Sequence, residues 1–116
     1  MGRLTTHVLD TAHGCPAAGI PIRLGIGGTD MRLLRETVTN ADGRCDQALL
    51  EGEDFLAGLY ELTFRIADYF ASRAASLSNP PFFDEIVLRF CVADPRAHYH
   101  VPLLVSPWSY STYRGS

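Results

Sequence analysis

Ile20, Ile22, Leu24 and Ile26 alternate with Pro21, Arg23 and Gly25, and further along Tyr60, Leu62, Phe64 and Ile66 alternate with Glu61, Thr63 and Arg65. A period of two puts the apolar side chains of each run on one face, the pattern of a half-buried β-strand and not of a helix. Two such strands must bury those faces against a second layer. Pro21 has no N–H for a ladder, so its strand begins there or lies at an edge. Residues 4–9, 31–39, 44–50, 86–92 and 99–105 also carry strand patterns. They are separated by turn sequences such as His13-Gly14-Cys15-Pro16, Gly27-Gly28-Thr29-Asp30 and Asn40-Ala41-Asp42-Gly43. Residues 68–77, with Tyr69, Phe70, Arg73, Ala74 and Leu77 at three- and four-residue spacing, predict a single short helix that stops before Asn79-Pro80-Pro81. About seven short strands at regular spacing, with one helix, predict an all-β sandwich or barrel.

A chain of 116 residues is expected to form one domain, 1–116, with room for a real core. Its net charge is −3 and it has no Lys/Arg cluster, which leaves no electrostatic footprint for nucleic acid or an anionic membrane. No apolar run approaches the length of a membrane span, and the N-terminus lacks the apolar stretch of a secretory signal. Cys15, Cys45 and Cys91 are odd in number and widely spaced, so they read as reduced thiols and point to the cytoplasm. The charged fraction of 20% is slightly low, a hint that partner chains cover some surface.

Alternation places His98, His100 and Pro102 on one face of their strand and Tyr99, Val101 and Leu103 on the other. Two imidazoles aimed the same way could bind a metal or do acid–base work near neutral pH, or could sit on a solvated strand face. His7 is a lone histidine on a strand of mixed pattern, and Arg44 directly follows a turn glycine. Taken singly, His7 reads as a satisfied structural residue and Arg44 as a solvated arginine, and neither earns a function. A metal site needs three or four ligands, and no carboxylate or thiol has a spacing that supports one. The chain closes on Trp108, Tyr110, Tyr113, Arg114, Gly115 and Ser116, a tail rich in aromatic and hydrogen-bonding groups that is equipped to be docked and not frayed.

Thr5-Thr6-His7-Val8-Leu9-Asp10, followed by Gly14 and Pro16-Ala17, resembles the N-terminal signature of the transthyretin-like 5-hydroxyisourate hydrolases. The segment from His98-Tyr99-His100-Val101-Pro102 through Ser106-Pro107, then Tyr110-Ser111-Thr112-Tyr113-Arg114-Gly115-Ser116, resembles their C-terminal signature. Thr39-Asn40-Ala41-Asp42-Gly43-Arg44 is similar to the family's central turn and arginine, and Tyr60-Glu61-Leu62 and Asp68-Tyr69-Phe70 fall in family order. The resemblance covers essentially the whole chain. The terminal Tyr-Arg-Gly-Ser is its specific part, separating the hydrolases from the hormone carrier transthyretin, which shares the fold. Ala67 and Trp108 depart from common family residues at positions the family does not use for chemistry.

The resemblance implies a transthyretin-like (prealbumin-like) eight-stranded β-sandwich with one short helix, assembled as a homotetramer, a dimer of dimers, with active sites in the channel between dimers. It implies hydrolysis of the ring amide of 5-hydroxyisourate to 2-oxo-4-hydroxy-4-carboxy-5-ureidoimidazoline in purine degradation, without metal or organic cofactor. Carried over residue by residue, His7, Arg44 and His100 are the expected catalytic residues. His98, Tyr113, Arg114, Gly115 and Ser116 are the expected substrate-binding residues. The alternative is a transthyretin-type small-molecule carrier, whose channel would favour apolar and Thr-like side chains at the positions of His7, Arg44 and His100.

Overall fold

The two alternating runs become the central strands of one sheet. In the computed structural model, which describes residues 1–73 and 76–116, β1 (Arg3–Thr5), β2 (Val8–Asp10), β3 (Cys15–Pro16), β4 (Pro21–Ile26), β5 (Arg32–Val38) and β6 (Leu50–Glu51) precede β7 (Gly58–Arg65). Helix α1 (Ala67–Ser72), β8 (Glu85–Val92), β9 (His98–His100), β10 (Leu103–Val105) and β11 (Tyr110–Thr112) follow. The first layer is a four-stranded antiparallel sheet in the order β5-β4-β7-β8. β4 is paired on both sides, so Pro21 marks the start of a strand and not an edge.

The second layer is interrupted. β1 runs into β2 through Thr6-His7, and β9 into β10 through Val101-Pro102, so the sets β6-β1-β9 and β11-β10-β2-β3 are two halves of one sheet. Its central strands are parallel: Arg3, Leu4 and Thr5 face His98, Tyr99 and His100, and Val8, Leu9 and Asp10 face Leu103, Leu104 and Val105. Joining each interrupted pair and setting the two-residue β3 aside leaves the eight strands expected of the sandwich. The interruption has a chemical cause. Pro102 offers no N–H, and the ladder crosses the gap through Val101 N to Thr5 O (2.9 Å) and Leu103 N to His7 O (2.9 Å). The buried Thr6 hydroxyl donates to the Val101 carbonyl at 2.7 Å. Alternation fails here: Val101, Pro102 and Leu103 are all buried, so Pro102 does not share the face of His98 and His100.

The core lies between the layers. Ile20, Ile22, Leu24, Tyr60, Leu62, Phe64 and Ile66 meet Leu4, Val8, Tyr99, Leu103 and Val105. The expected helix over 68–77 is shorter, ending at Ser72, whose hydroxyl donates to the Tyr69 carbonyl at 2.7 Å and so competes with further helical bonding. Ala74 of that expected span lies outside the described residues. The strand expected over 44–50 is mostly irregular, with only Leu50–Glu51 as strand, because its backbone partners are scattered: Arg44 bridges to His7, and Leu49 N donates to Leu4 O at 2.8 Å.

Asp10 pins the end of β2 to the helix. Its buried carboxylate accepts the Tyr69 hydroxyl (2.8 Å), the His13 ring Nδ1 (2.7 Å) and the N–H groups of Ala12 and His13. Burial pushes the Asp10 carboxyl up, but the hydrogen bonds from Tyr69 and His13 outweigh it and hold the group below its ordinary value. All three cysteines are free thiols. Among the described residues no helix is long and apolar enough to cross a membrane.

Candidate active site

His98 and His100 both lie on the outer face of β9, because Tyr99 between them turns into the core. The parallel pairing with β1 sets one side chain directly opposite each imidazole: Arg3 opposite His98 and Thr5 opposite His100. Both contacts form. The Arg3 guanidinium Nε donates to His98 Nε2, and the Thr5 hydroxyl lies 2.8 Å from His100 Nδ1.

The turn after β5 brings Arg44 to the same neighbourhood. Asn40 Oδ1 accepts the N–H groups of Asp42 (2.9 Å) and Arg44 (3.2 Å), while Gly43 N donates to Asn40 O at 2.9 Å. This Asx turn needs φ of +75° at Gly43, and a Cβ there would fall 2.3 Å from the Val8 carbonyl oxygen. Only glycine permits so close an approach to β2, and that approach is what sets Arg44 against His7 as an antiparallel bridge. His7 Nε2 donates to the Asp42 carbonyl at 2.8 Å, which fixes the ring and leaves Nδ1 as its unsatisfied nitrogen.

The tail is docked. Gly115 N donates to His100 O at 2.7 Å and His100 N to Gly115 O at 3.1 Å, an isolated antiparallel bridge. Arg114 stacks its guanidinium 4.1 Å from the Tyr99 ring centroid and donates to the His98 carbonyl at 3.1 Å. Ser116 is exposed beside this bridge. Tyr113 goes elsewhere, lining a 470 Å³ groove with Val87, Phe90, Tyr110 and Arg114 between the free edges of β8 and β11. A smaller 260 Å³ cavity is lined by Arg3, Thr5, Thr6, Arg44 and Asp46.

The electrostatics favour one imidazole as a base. His100 is held below its ordinary value by burial first, then by the guanidinium of Arg44 and the neighbouring imidazoles of His7 and His98, which disfavour a further proton there. A lowered proton affinity favours the neutral imidazole, whose lone pair is what a base needs. Thr5 occupies its Nδ1 side, which leaves Nε2 open to a bound molecule. Arg44 is exposed, so its guanidinium is free to meet an oxygen of a bound molecule. Among the described residues no group of three or more His, Cys, Asp or Glu is arranged to hold a metal ion.

His7, Arg44, His98, His100 and Gly115 are therefore joined by register, bridge or electrostatic contact, whereas the side chains of Tyr113 and Arg114 line the groove, Arg114 reaching the His98 carbonyl and the Tyr99 ring. Arg3 and Thr5 are the two partners that reading the sequence did not single out. Nothing in a linear chain marks an arginine near the N-terminus as the neighbour of a histidine 95 positions away.

Residues 4–115 match the model of the HIUase/Transthyretin family. A 5-hydroxyisourate hydrolase of Ralstonia nicotianae is 59% identical over 117 residues, covering 100% of both chains. The solved structure of the Klebsiella pneumoniae 5-hydroxyisourate hydrolase is similar with a TM-score of 0.82 and 34% identity, over 100% of each chain. A solved (S)-allantoin synthase is similar with a TM-score of 0.94 and 51% identity over 99% of this chain, which spans only 44% of the synthase.

Proposed function

The chain belongs to the HIUase/Transthyretin family, and from that premise we propose that it is a 5-hydroxyisourate hydrolase, one domain over 1–116, which opens the ring amide of its substrate in the cytoplasm. The observation that carries this reading is the polar outer face of the β1–β9 pair. His7, Arg44, His98 and His100 converge there, where a carrier would need apolar walls.

His100 Nε2 takes the proton of a water as that water attacks the amide carbon. The Arg44 guanidinium meets the oxyanion that develops on the former carbonyl oxygen, its planar fork suiting a flat ring edged with carbonyls. Collapse of the tetrahedral adduct breaks the C–N bond. The proton held by His100 passes to the leaving nitrogen, and the product is a carboxylate. His7, anchored through Nε2 to the Asp42 carbonyl, orients substrate or water through Nδ1. His98, Gly115 and Ser116 bind the ring alongside, while Arg114, held on Tyr99 and the His98 carbonyl, and Tyr113 seat the tail that delivers them.

This face is open in a single chain: Arg44, His98 and Ser116 are exposed. Trp108 is 60%, Tyr110 43% and Tyr113 60% exposed, too much aromatic surface for a tail that works alone. Both observations support a homotetramer, a dimer of dimers, in which a second copy covers the site.

The direct test is to generate 5-hydroxyisourate with urate oxidase and follow its ultraviolet decay with and without the protein. Accelerated decay is expected, and decay at the spontaneous rate would refute the assignment. The pH profile tests the base. The acid limb of kcat/KM should lie below the ordinary imidazole value of about 6.5. Removing the neighbouring positive charge in Arg44→Gln should move that limb to higher pH, since less repulsion lets His100 protonate sooner. A limb that stays put would separate Arg44 from the base. The chemistry uses side chains alone, so prolonged chelation should leave turnover unchanged, and a loss restored specifically by zinc would overturn it.

A further inference from the structure

We infer that Arg3 is a positioning residue that holds the His98 imidazole as its Nδ1–H tautomer, so that His98 offers substrate a hydrogen-bond donor and not an acceptor. The inference rests on the hydrolase reading for what the donor meets, but not for the tautomer itself. Arg3 stands directly opposite His98 in the parallel register, and its Nε–H points at His98 Nε2. A guanidinium can only donate, so the nitrogen that receives it must carry the lone pair. A neutral imidazole has one donor and one acceptor, so the ring proton is forced onto Nδ1.

The equivalent pair one step along behaves differently. Thr5 faces His100 in the same register, but a hydroxyl can donate or accept and dictates no tautomer. The two imidazoles therefore sit in matched positions with different constraints: His98 is locked by a charge, and His100 is left adaptable, as a base that must gain and lose a proton requires. The main chain of His98 is also held, by its pairing with Leu4's strand and by Arg114 donating to its carbonyl at 3.1 Å. Arg3 shares the 260 Å³ cavity with Thr5 and Arg44, which places it on the side where the proposed oxyanion partner stands. A ring edged with carbonyl oxygens wants donors around it. An imidazole released from Arg3 would revert to the Nε2–H form that free histidine prefers in water, and would turn a lone pair toward a carbonyl oxygen.

The test combines nitrogen NMR of the histidine rings with kinetics on the intact protein, at a pH well above the imidazole range. Wild type should show His98 protonated at Nδ1 and bare at Nε2. Arg3→Met should reverse that pattern, and Arg3→Lys, which keeps a cationic donor, should preserve it. With the substrate, Arg3→Met should raise KM about fivefold with kcat changed less than about twofold, the cost of one misdirected hydrogen bond. Nε2–H in the wild type, or an unchanged ring in Arg3→Met, overturns the inference. A reversed ring with unchanged KM overturns its bearing on substrate. Should the wild type show no hydrolysis while the tautomer still reverses, the functional reading fails and the hold of Arg3 on His98 stands.

Discussion

His100→Ala is expected to lower kcat/KM about a hundredfold or more, the usual yield of a positioned base, and Arg44→Ala should cost a similar factor by leaving the oxyanion without its partner. The fold should survive both. His100 holds the tail through its backbone N–H and carbonyl, which alanine keeps, and its side chain gives up one hydrogen bond, to Thr5. That contact is worth about 1 kcal/mol. Arg44 is exposed, and its backbone bonds in the Asn40 turn do not depend on its side chain. Thermal melts within a few degrees of wild type, paired with the ultraviolet assay, separate chemistry from stability. Folded variants with near-normal turnover would remove both residues from the mechanism. The single variant His98→Ala should cost less than His100→Ala, since the proposed mechanism has His98 orient and not exchange the proton.

Deleting residues 113–116 should abolish activity while leaving the sandwich folded. The core closes through β10 and its neighbours, and residues 113–116 add the Gly115–His100 bridge, the Arg114 contacts and Tyr113 in the groove wall. Loss of the bridge leaves the β9 backbone, which aims both imidazoles, held by β1 on one side alone. Displacement of about 1 Å in a reacting group can cost about a hundredfold. Light scattering on the intact protein should report a tetramer. A finer probe is Gly115→Ala, whose new Cβ would fall 3.2 Å from His100 Cβ and 3.3 Å from its Cδ2, so the ring must shift for the bridge to persist. A monomer that turns over at full rate without its last four residues would dismiss the interface site.

The two central strands of the first layer were legible because Ile22, Leu24, Leu62 and Phe64 are all buried as a period of two requires, although the alternation of β4 breaks after Leu24, where its register with β5 shifts. The same periodicity placed His98 and His100 together on one face. It failed at Pro102, where a missing N–H breaks the strand and the face changes. The helix was overextended because its spacing says nothing of Ser72 turning back on the Tyr69 carbonyl. The Asn40-Ala41-Asp42-Gly43 turn was readable, but not that Gly43 presses against Val8 and so delivers Arg44 to His7. Arg3 and Thr5 carried no local signal, since their significance comes from a register set between the two ends of the chain. Local periodicity reports which way a side chain faces. It is silent on what stands across from it.

The parallel pairing of β1–β2 with β9–β10 has a consequence for how this protein is made. Thr5 and His100 are 95 positions apart, and closing so long a loop comes at an entropic cost that local strand pairing does not share. Antiparallel neighbours such as β7 and β8 can find each other earlier in synthesis or refolding, whereas the N-terminal strand waits beside a vacant slot until the last fifth of the chain arrives. During that wait, β1 and β2 present an unpaired edge next to apolar side chains, a species prone to pair with the wrong copy. Recovery of catalysis should therefore trail recovery of β-sheet circular dichroism in a refolding time course, and chaperone demand should fall on this late interval and not on the first sheet.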